Sequence, residues 1–272
     1  MKLKIIETED GSFTYQKGDI TYRSTHGAKS ESLHVFVQAS QLLKQNLSQW
    51  YVLELGFGTG MNLAATFEIA QKNNIKLVYY SLEPNLMPVN MLIVPDFIKN
   101  NLNEGVFENE NLELHILPFR WQDWDACLGE SQRTTGNHRG LPLQFPNENL
   151  NETKRQPPQG LVLQDTRFGE GLFDAYYHDP FGPSQSPQCW TPACFEWAYS
   201  LLKDDGILTT YGASGQARRA MQAAHFVVAK GPGSGRKREM TIAGKHAPRL
   251  EQPGYESFTI LKSRHVGERA QS

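Results

Sequence analysis

Apolar residues along this chain fall into short continuous runs separated by stretches with helical spacing. The continuous runs predict five buried parallel strands, at 51–55, 76–82, 112–117, 173–178 and 206–211. Between runs, apolar positions recur every three or four residues, as in Leu63, Phe67 and Ala70 or in the segment 194–202, which predicts helices. Strands that alternate with helices predict right-handed crossovers and an α/β, Rossmann-like, doubly wound sheet.

The first 48 residues predict an extension in front of this sheet. Residues 12–24 predict a hairpin, because β-prone residues flank the turn Lys17-Gly18-Asp19. A helical pattern then runs from about Glu31 to Leu47. His26 and His34 flank Glu31, where either a role in a pocket or ordinary packing fits the pattern.

The pattern predicts a main domain at 49–262 and a tail at 263–272. Inside the domain, residues 129–160 break the alternation with four Pro, four Gly and many Asn and Gln. Such a composition buries too little apolar surface to offset its ordering entropy. We therefore expect a flexible insertion there, remote from the ligand-binding edge of the sheet unless it folds around the rim.

Composition narrows the class of protein. With 272 residues, 39% of them hydrophobic and 21% charged, the chain is globular rather than collagen-like, coiled-coil or disordered as a whole. The formal net charge of −2 gives no global cationic field, so nucleic-acid binding requires a local patch. Three cysteines without a C-x-x-C pair, no apolar signal core and no long apolar stretch lead us to expect a soluble cytoplasmic protein without membrane contact.

A glycine motif follows the first strand of the main domain. In E-L-G-F-G-T-G, alternate glycines let the backbone turn sharply and let a ligand approach where a Cβ would block it. The spacing differs from the G-x-G-x-x-G pattern that binds a dinucleotide pyrophosphate. It favours S-adenosylmethionine (AdoMet), with a dinucleotide site and a ligand-free turn as alternatives. The candidate cofactor residues here are Glu54, whose acid suits the ammonium of the ligand, Gly56, Phe57, Gly58, Gly60 and Asn62.

Two acids after later strands fit the same nucleoside. Glu83 ends the second strand, about 25 residues after the glycines, where a carboxylate accepts both ribose hydroxyls. NAD-dependent enzymes use an acid in the same way, so Glu83 does not separate AdoMet from NAD. Asp123 follows the third strand, where it either accepts the adenine amino group or caps a helix.

The segment H-D-P-F-G-P follows the fourth predicted strand, at the centre of the sheet. Its two prolines stiffen the loop, and Asp179 with Phe181 would face the transferred methyl group. An acid and a loop carbonyl can orient an amine, and an aromatic ring can stack on a planar base. This layout is similar to the D/N-P-P-Y/F segment of amino-directed methyltransferases. A rigid turn without chemistry is the alternative.

A basic run near the end of the main domain predicts contact with phosphate. Residues 218–238 contain six cations and no acid, on a chain that is otherwise slightly acidic. A solvated face is the alternative. The candidate RNA-binding residues are Arg218, Arg219, Lys230, Arg236, Lys237 and Arg238. Metal binding is not predicted, because Cys189 and Cys194 lack partner histidines at ligand spacing.

Together these segments resemble the MnmD/MnmC family, the methyltransferases that complete 5-methylaminomethyl-2-thiouridine at the tRNA wobble position. The match covers residues 10–128 and 161–243. It departs from the family at Pro180, where a small residue is usual, and at Gly182, where alanine is usual. The residues that carry it are Asp10-Gly11-Ser12, Tyr22-Arg23-Ser24, Gly27-Ala28, Glu31 to Phe36, Glu54 to Asn62, Asp179 to Pro183, Pro187, Trp190-Thr191, Thr210-Tyr211, Arg218-Arg219 and Gly235 to Met240.

The resemblance implies transfer of a methyl group from AdoMet to the aminomethyl nitrogen of the modified wobble uridine. It places Asp179 beside the substrate amine and the basic segments against tRNA. We expect a monomer that uses no metal and no FAD, because the oxidase domain of the bifunctional proteins needs several hundred more residues. The rival functions are methylation of another amine, in a small molecule or a nucleobase, and a non-catalytic RNA-binding module; an aminopropyl transferase is a weaker third.

Overall fold

The computed structural model describes residues 4–18, 20–22, 25, 27–124, 171–235, 238–252 and 254–262. The insertion predicted at 129–160 and the tail predicted at 263–272 lie outside the described residues, as do His26, Arg236 and Lys237. Within the described part of the chain, no helix combines the length and the apolar character needed to cross a bilayer.

The N-terminal extension contains a small antiparallel sheet of β1 (Lys4–Glu7), β2 (Phe13–Lys17) and β3 (Ile20–Thr21). The predicted hairpin corresponds to β2 and β3, and β1 adds a strand that the sequence pattern did not predict. The Asp10 carboxylate accepts the backbone N–H of Ser30 at 2.9 Å, which links the hairpin to the helical segment behind it.

The helical part of the extension is broken, which corrects the single helix predicted from Glu31 to Leu47. It begins as α1 (Ala28–Glu31), continues as a π-helix over Ser32–Gln38 and ends as a 3₁₀ turn over Leu42–Gln45. Gln41 interrupts it in a left-handed conformation with φ 55°. A π-helical segment is rare and is often found at functional sites.

All five predicted strands of the main domain are confirmed, and they lie side by side. Their spatial order is β7, β5, β4, β8, β9, and each neighbouring pair is parallel. The chain order reverses between β4 and β8, which is where ligands bind in doubly wound folds. Their bounds are β4 (Gln49–Leu55), β5 (Lys76–Leu82), β7 (Leu112–Leu117), β8 (Phe173–His178) and β9 (Leu202–Thr210).

Antiparallel strands extend the sheet at both edges to nine strands in the described chain. β6 pairs with β7 on one side; β11, β10 and β12 follow β9 on the other. The edge strands are β6 (Val106–Glu108), β10 (Val227–Pro232), β11 (Glu239–Gly244) and β12 (Thr259–Ile260).

Helices cover both faces of the sheet. Alternate side chains of β4 point to opposite faces, so Trp50 and Val52 belong to one apolar cluster and Leu53 and Leu55 to the other. The π-helix joins the first cluster, where the Phe36 and Tyr177 rings lie 5.3 Å apart. The described helices of the main domain are α2 (Met61–Lys72), α3 (Asp96–Lys99), α4 (Pro192–Leu201), α5 (Gly215–Ala223) and α6 (Ala247–Leu250).

His178, at the end of β8, lies in an aromatic cluster without solvent contact. Its ring centroid is 4.6 Å from that of Trp190 and 4.8 Å from that of Phe195. Burial lowers the pKa of His178 to about 3, because the apolar surroundings oppose the charged imidazolium. The neutral ring therefore packs as an aromatic side chain directly before Asp179.

This burial predicts a pH-dependent loss of stability. The unfolded chain takes up a proton near the ordinary pKa of 6.5, whereas the folded chain does so only near pH 3, so stability falls as the pH drops through that interval. Between pH 7 and 5, wild type should lose about 2 kcal/mol more unfolding free energy than His178→Asn, measured with urea. His225→Asn, at an exposed position, is the matched control and should fall in parallel with wild type. Equal losses in wild type and His178→Asn would contradict this assignment.

Candidate active site

A cavity of about 1050 Å³ opens at the carboxyl ends of β4, β5 and β8. Its walls come from six segments: the N-terminal extension, the glycine turn after β4 and the loops that follow β5, β7, β8 and β9. Among the predicted site residues it contains Gly56, Gly58, Glu83, Asp179 and Phe181. A second cavity of about 780 Å³ lies between the N-terminal strands and α2 and holds none of the predicted site residues.

The glycine turn packs directly against the loop that follows β8. Gly56 has φ 93°, and a Cβ there would lie 2.7 Å from the backbone oxygen of Asp179. Its N–H donates to the Leu82 carbonyl at 3.0 Å, and the Asp179 N–H donates to the Leu55 carbonyl at 3.0 Å. Because Gly56 has no side chain, the ends of β4, β5 and β8 can approach closely enough for these backbone hydrogen bonds to form.

The predicted cofactor residues Glu54 and Asn62 lie behind the cavity wall. Both are fully buried, and the Asn62 amide donates to Glu54 Oε1 at 2.8 Å and to Asp179 Oδ2 at 3.0 Å. Ser81 donates to Glu54 Oε2 at 3.2 Å. Glu54 thus orients Asn62, and Asn62 orients the carboxylate of Asp179 at the cavity surface.

Glu83 stands on the opposite side of the glycine turn. Its Oε2 accepts the Gly58 N–H at 3.2 Å and its Oε1 accepts the Asn85 N–H at 3.0 Å. Burial, together with the charge of Glu83, raises the pKa of Tyr22, so that the phenol stays protonated. Glu83 is therefore a fixed carboxylate at the place where the sequence predicts the ribose.

Two side chains hold the loop that carries Asp179 and Phe181. The Trp190 indole N–H donates to the Phe181 carbonyl at 2.9 Å, and the Tyr211 hydroxyl donates to the Pro180 carbonyl. The Phe181 ring is 39% exposed and meets the Tyr22 ring edge to face at 5.4 Å. Trp190, Tyr211 and Tyr22 belong to the segments that carry the family resemblance, but no pattern in the sequence assigned them these roles.

Phe57, Gly60 and Asp123 have mainly structural surroundings. The Phe57 ring is buried in the apolar core, and Gly60, with φ 80°, faces Phe57 and Val94 so closely that a Cβ would lie 2.6 Å from the valine. The Asp123 carboxylate accepts the Arg120 N–H at 3.4 Å, so Asp123 is the third residue of a short 3₁₀ turn whose N-cap is Arg120, and not itself the N-cap. An adenine contact by Asp123 stays a prediction.

The basic run is partly neutralised by an acid that directly follows it in sequence. Glu239 accepts a hydrogen bond from Arg218 at 2.8 Å and one from Lys230 at 3.1 Å. These two partners lower the pKa of Glu239. Arg218 also donates to Thr241 and to the Met240 carbonyl, and its side chain is only 11% exposed. Arg219 and Arg238 are exposed, whereas Arg218 ties α5 to β11.

Comparison with known proteins shows which proteins this chain is similar to. Residues 162–246 match a family model described as S-adenosyl-L-methionine-dependent methyltransferase. The tRNA 5-methylaminomethyl-2-thiouridine biosynthesis bifunctional protein MnmC of Pseudoalteromonas atlantica is 29% identical over 89% of this chain and 33% of its own length. The protein of the same name from Aeromonas hydrophila is 29% identical over 92% of this chain and 36% of its own length.

A solved structure shows the same fold. The crystal structure of MNMC2 from Aquifex aeolicus superposes with a TM-score of 0.66, covering 91% of this chain and 72% of that chain at 23% identity. The chain spans about a third of the length of the MnmC relatives. The α/β fold and the resemblance to MnmC-type proteins are confirmed.

Gly56→Ala should weaken AdoMet binding by at least about tenfold, because the new Cβ would displace the Asp179 backbone from the glycine turn. Gly11→Ala is the matched control: Gly11 also has a positive φ, of 74°, but a Cβ added there would meet no atom within 4 Å. Isothermal titration calorimetry with AdoMet measures both variants. Equal affinities in the two variants would show that the close approach does not shape the donor site.

Arg218→Ala should lower the melting temperature by roughly 5 °C, because it removes the hydrogen bonds between α5 and β11. Arg219→Ala, at the exposed neighbouring position, should change it by less than about 2 °C. Differential scanning calorimetry compares them. Equal shifts would mean that Arg218 is not the structural member of this pair.

Proposed function

We propose that this chain is an AdoMet-dependent methyltransferase that converts the 5-aminomethyl group of 2-thiouridine at the tRNA wobble position to 5-methylaminomethyl. The observation that carries the proposal is the Asp179 carboxylate, which lies at the cavity surface and is oriented by Asn62 at 3.0 Å. The MnmC relatives, named for biosynthesis of this nucleoside, support the choice of substrate.

The residues of the cavity fit AdoMet. The glycine turn leaves open backbone where a Cβ would stand, and Glu83 presents a carboxylate held by two backbone N–H groups. Thr59, also in this turn, is 2% exposed, and its hydroxyl has no hydrogen-bond partner within the described residues. A bound ligand would supply that partner. Glu83 would hold the ribose, and the glycine turn the methionine part.

Bound AdoMet would supply a methyl carbon activated on a sulfonium: the N–C bond forms as the C–S bond breaks, and the bonding pair stays on sulfur. The chain contributes position and proton control. A primary amine in water is mostly an ammonium ion, which has no lone pair. In this proposal Asp179 first holds that ammonium ion and then accepts its proton, while Asn62 keeps the carboxylate aimed at the nitrogen.

Phe181 would position the base of the substrate. Its ring is 39% exposed at the cavity, and its loop is fixed through the hydrogen bonds of Trp190 and Tyr211. A rigid, partly exposed ring offers a stacking surface for a base that has left its own stack. A wobble base in an anticodon loop can reach such a surface more readily than a base in a duplex.

The exposed members of the basic run would face the phosphates of tRNA. Arg219 and Arg238 are exposed, and Lys230 is 40% exposed although it pairs with Glu239. Phosphate contacts of this kind fix orientation and make affinity dependent on salt. Arg236 and Lys237, outside the described residues, stay part of the predicted patch.

Asp179→Asn should lower kcat by about 10²–10⁴-fold, because the amide cannot accept the substrate proton, while AdoMet still binds. The substrate is tRNA purified from cells that lack this protein; the measurement is methyl transfer from labelled AdoMet with mass analysis of the nucleosides. Asp96→Asn, on a side chain that is 88% exposed, is the matched control and should retain full activity.

Two results would contradict the proposed substrate, and a third would contradict only the role of Asp179. No methyl transfer by wild type to tRNA that carries the aminomethyl group would exclude this substrate. A product other than 5-methylaminomethyl-2-thiouridine would favour a different amine or nucleobase. Full activity of Asp179→Asn would remove Asp179 from the reaction and leave the substrate assignment intact.

A further inference from the structure

The N-terminal extension contributes a buried carboxylate to the same cavity. Glu31 lies at the end of α1, directly before the π-helix, and is 3% exposed. It nevertheless borders the cavity, together with Tyr22 and Thr25 of the extension. Burial of a carboxylate is costly unless it is hydrogen-bonded or paired, and the π-helical turn that follows Glu31 is a rare conformation often found at functional sites.

The described lining of this cavity holds more carboxylates than cations. Among its described lining residues, the carboxylates are Glu31, Glu83 and Asp179, and the cation is Arg120. The buried Thr59 hydroxyl, which has no partner within the described residues, independently indicates that a polar ligand belongs there. Such a charge balance suits a cationic ligand and disfavours an anionic one.

The position of Glu31 separates it from the residues assigned to the donor. Glu83 and the glycine turn come from the parallel strands, on either side of the cofactor position. Glu31 belongs to the extension, whose Tyr22 ring contacts Phe181, the residue proposed to hold the base. The extension therefore forms the acceptor wall of the cavity.

We infer that Glu31 is a specificity-determining residue that binds the ammonium form of the acceptor's aminomethyl group, together with Asp179. This inference rests on the proposed function and deepens it, because it selects cationic primary amines over neutral groups of the same size. A carboxylate accepts several hydrogen bonds, so Glu31 can bind the ammonium ion while keeping contacts within the chain. Asp179 then takes the proton.

The test compares two anticodon stem-loops that differ in one group, 5-aminomethyl-2-thiouridine or the neutral 5-hydroxymethyl-2-thiouridine. Their binding is measured by fluorescence anisotropy with S-adenosylhomocysteine present, so no reaction is needed. Wild type should bind the amine at least tenfold more tightly, and Glu31→Gln should reduce that preference to about threefold or less. Glu31→Asp, which keeps the charge on a shorter side chain, should recover part of it.

A second readout separates this role from a structural one. Glu31→Gln should raise KM for the aminomethyl tRNA about tenfold with a smaller change in kcat, and its affinity for AdoMet should stay that of wild type. Glu113→Gln, at a side chain 13% exposed on β7 that pairs with His115, is the matched control. It should keep the wild-type preference for the amine.

The inference is overturned if wild type binds both stem-loops equally, a result that does not depend on how any variant folds. It is also overturned if Glu31→Gln keeps the full preference, or if that variant loses AdoMet affinity instead, which would place Glu31 at the donor. Absence of methyl transfer by wild type contradicts the proposed function itself and is thereby distinguishable from failure of the Glu31 assignment.

Discussion

The close approach of the Gly56 backbone to the backbone of Asp179 is the constraint on which the active site depends. No residue with a Cβ fits there, since the added atom would lie 2.7 Å from a carbonyl oxygen. This contact brings the ends of β4 and β8 together at the point where the sheet reverses its chain order. Each further feature follows from it: the cavity forms beside the contact, and Asn62 can reach across it from α2 to Asp179.

The hydrogen bonds behind this contact hold the Asp179 carboxylate in one orientation. Asp179 lies in a loop, yet its backbone is tied to β4 and its side chain to Asn62. Asn62 in turn is held by the buried Glu54. Glu54, the acid nearest the glycines in sequence, therefore acts on Asp179 through the Asn62 amide, which donates to both carboxylates. This arrangement keeps the Asp179 carboxylate oriented.

The sequence predicted what depends on local patterns and missed what depends on long-range pairing. Strands 76–82, 112–117 and 173–178 match the structure residue for residue, because buried parallel strands are continuous apolar runs. The break at Gln41 was not predictable, since helical spacing continues across it. The role of Glu239 was missed because it depends on contacts between separate elements. Glu239 follows the basic run in sequence. The pairing of β10 with β11 brings it against Lys230, and the packing of α5 on β11 brings it against Arg218.

The N-terminal extension contains residues that the family resemblance includes but whose roles the sequence does not indicate. Tyr22 and Glu31 lie in segments that carry the family resemblance, but neither stands at the end of a parallel strand, where ligand contacts are normally sought. They reach the cavity because the hairpin and α1 fold back over the carboxyl edge of the sheet. A doubly wound sheet alone supplies a donor site that is open on one side. The extension closes that side with an aromatic ring and a carboxylate, so the selectivity inferred for Glu31 would come from a residue outside the parallel sheet.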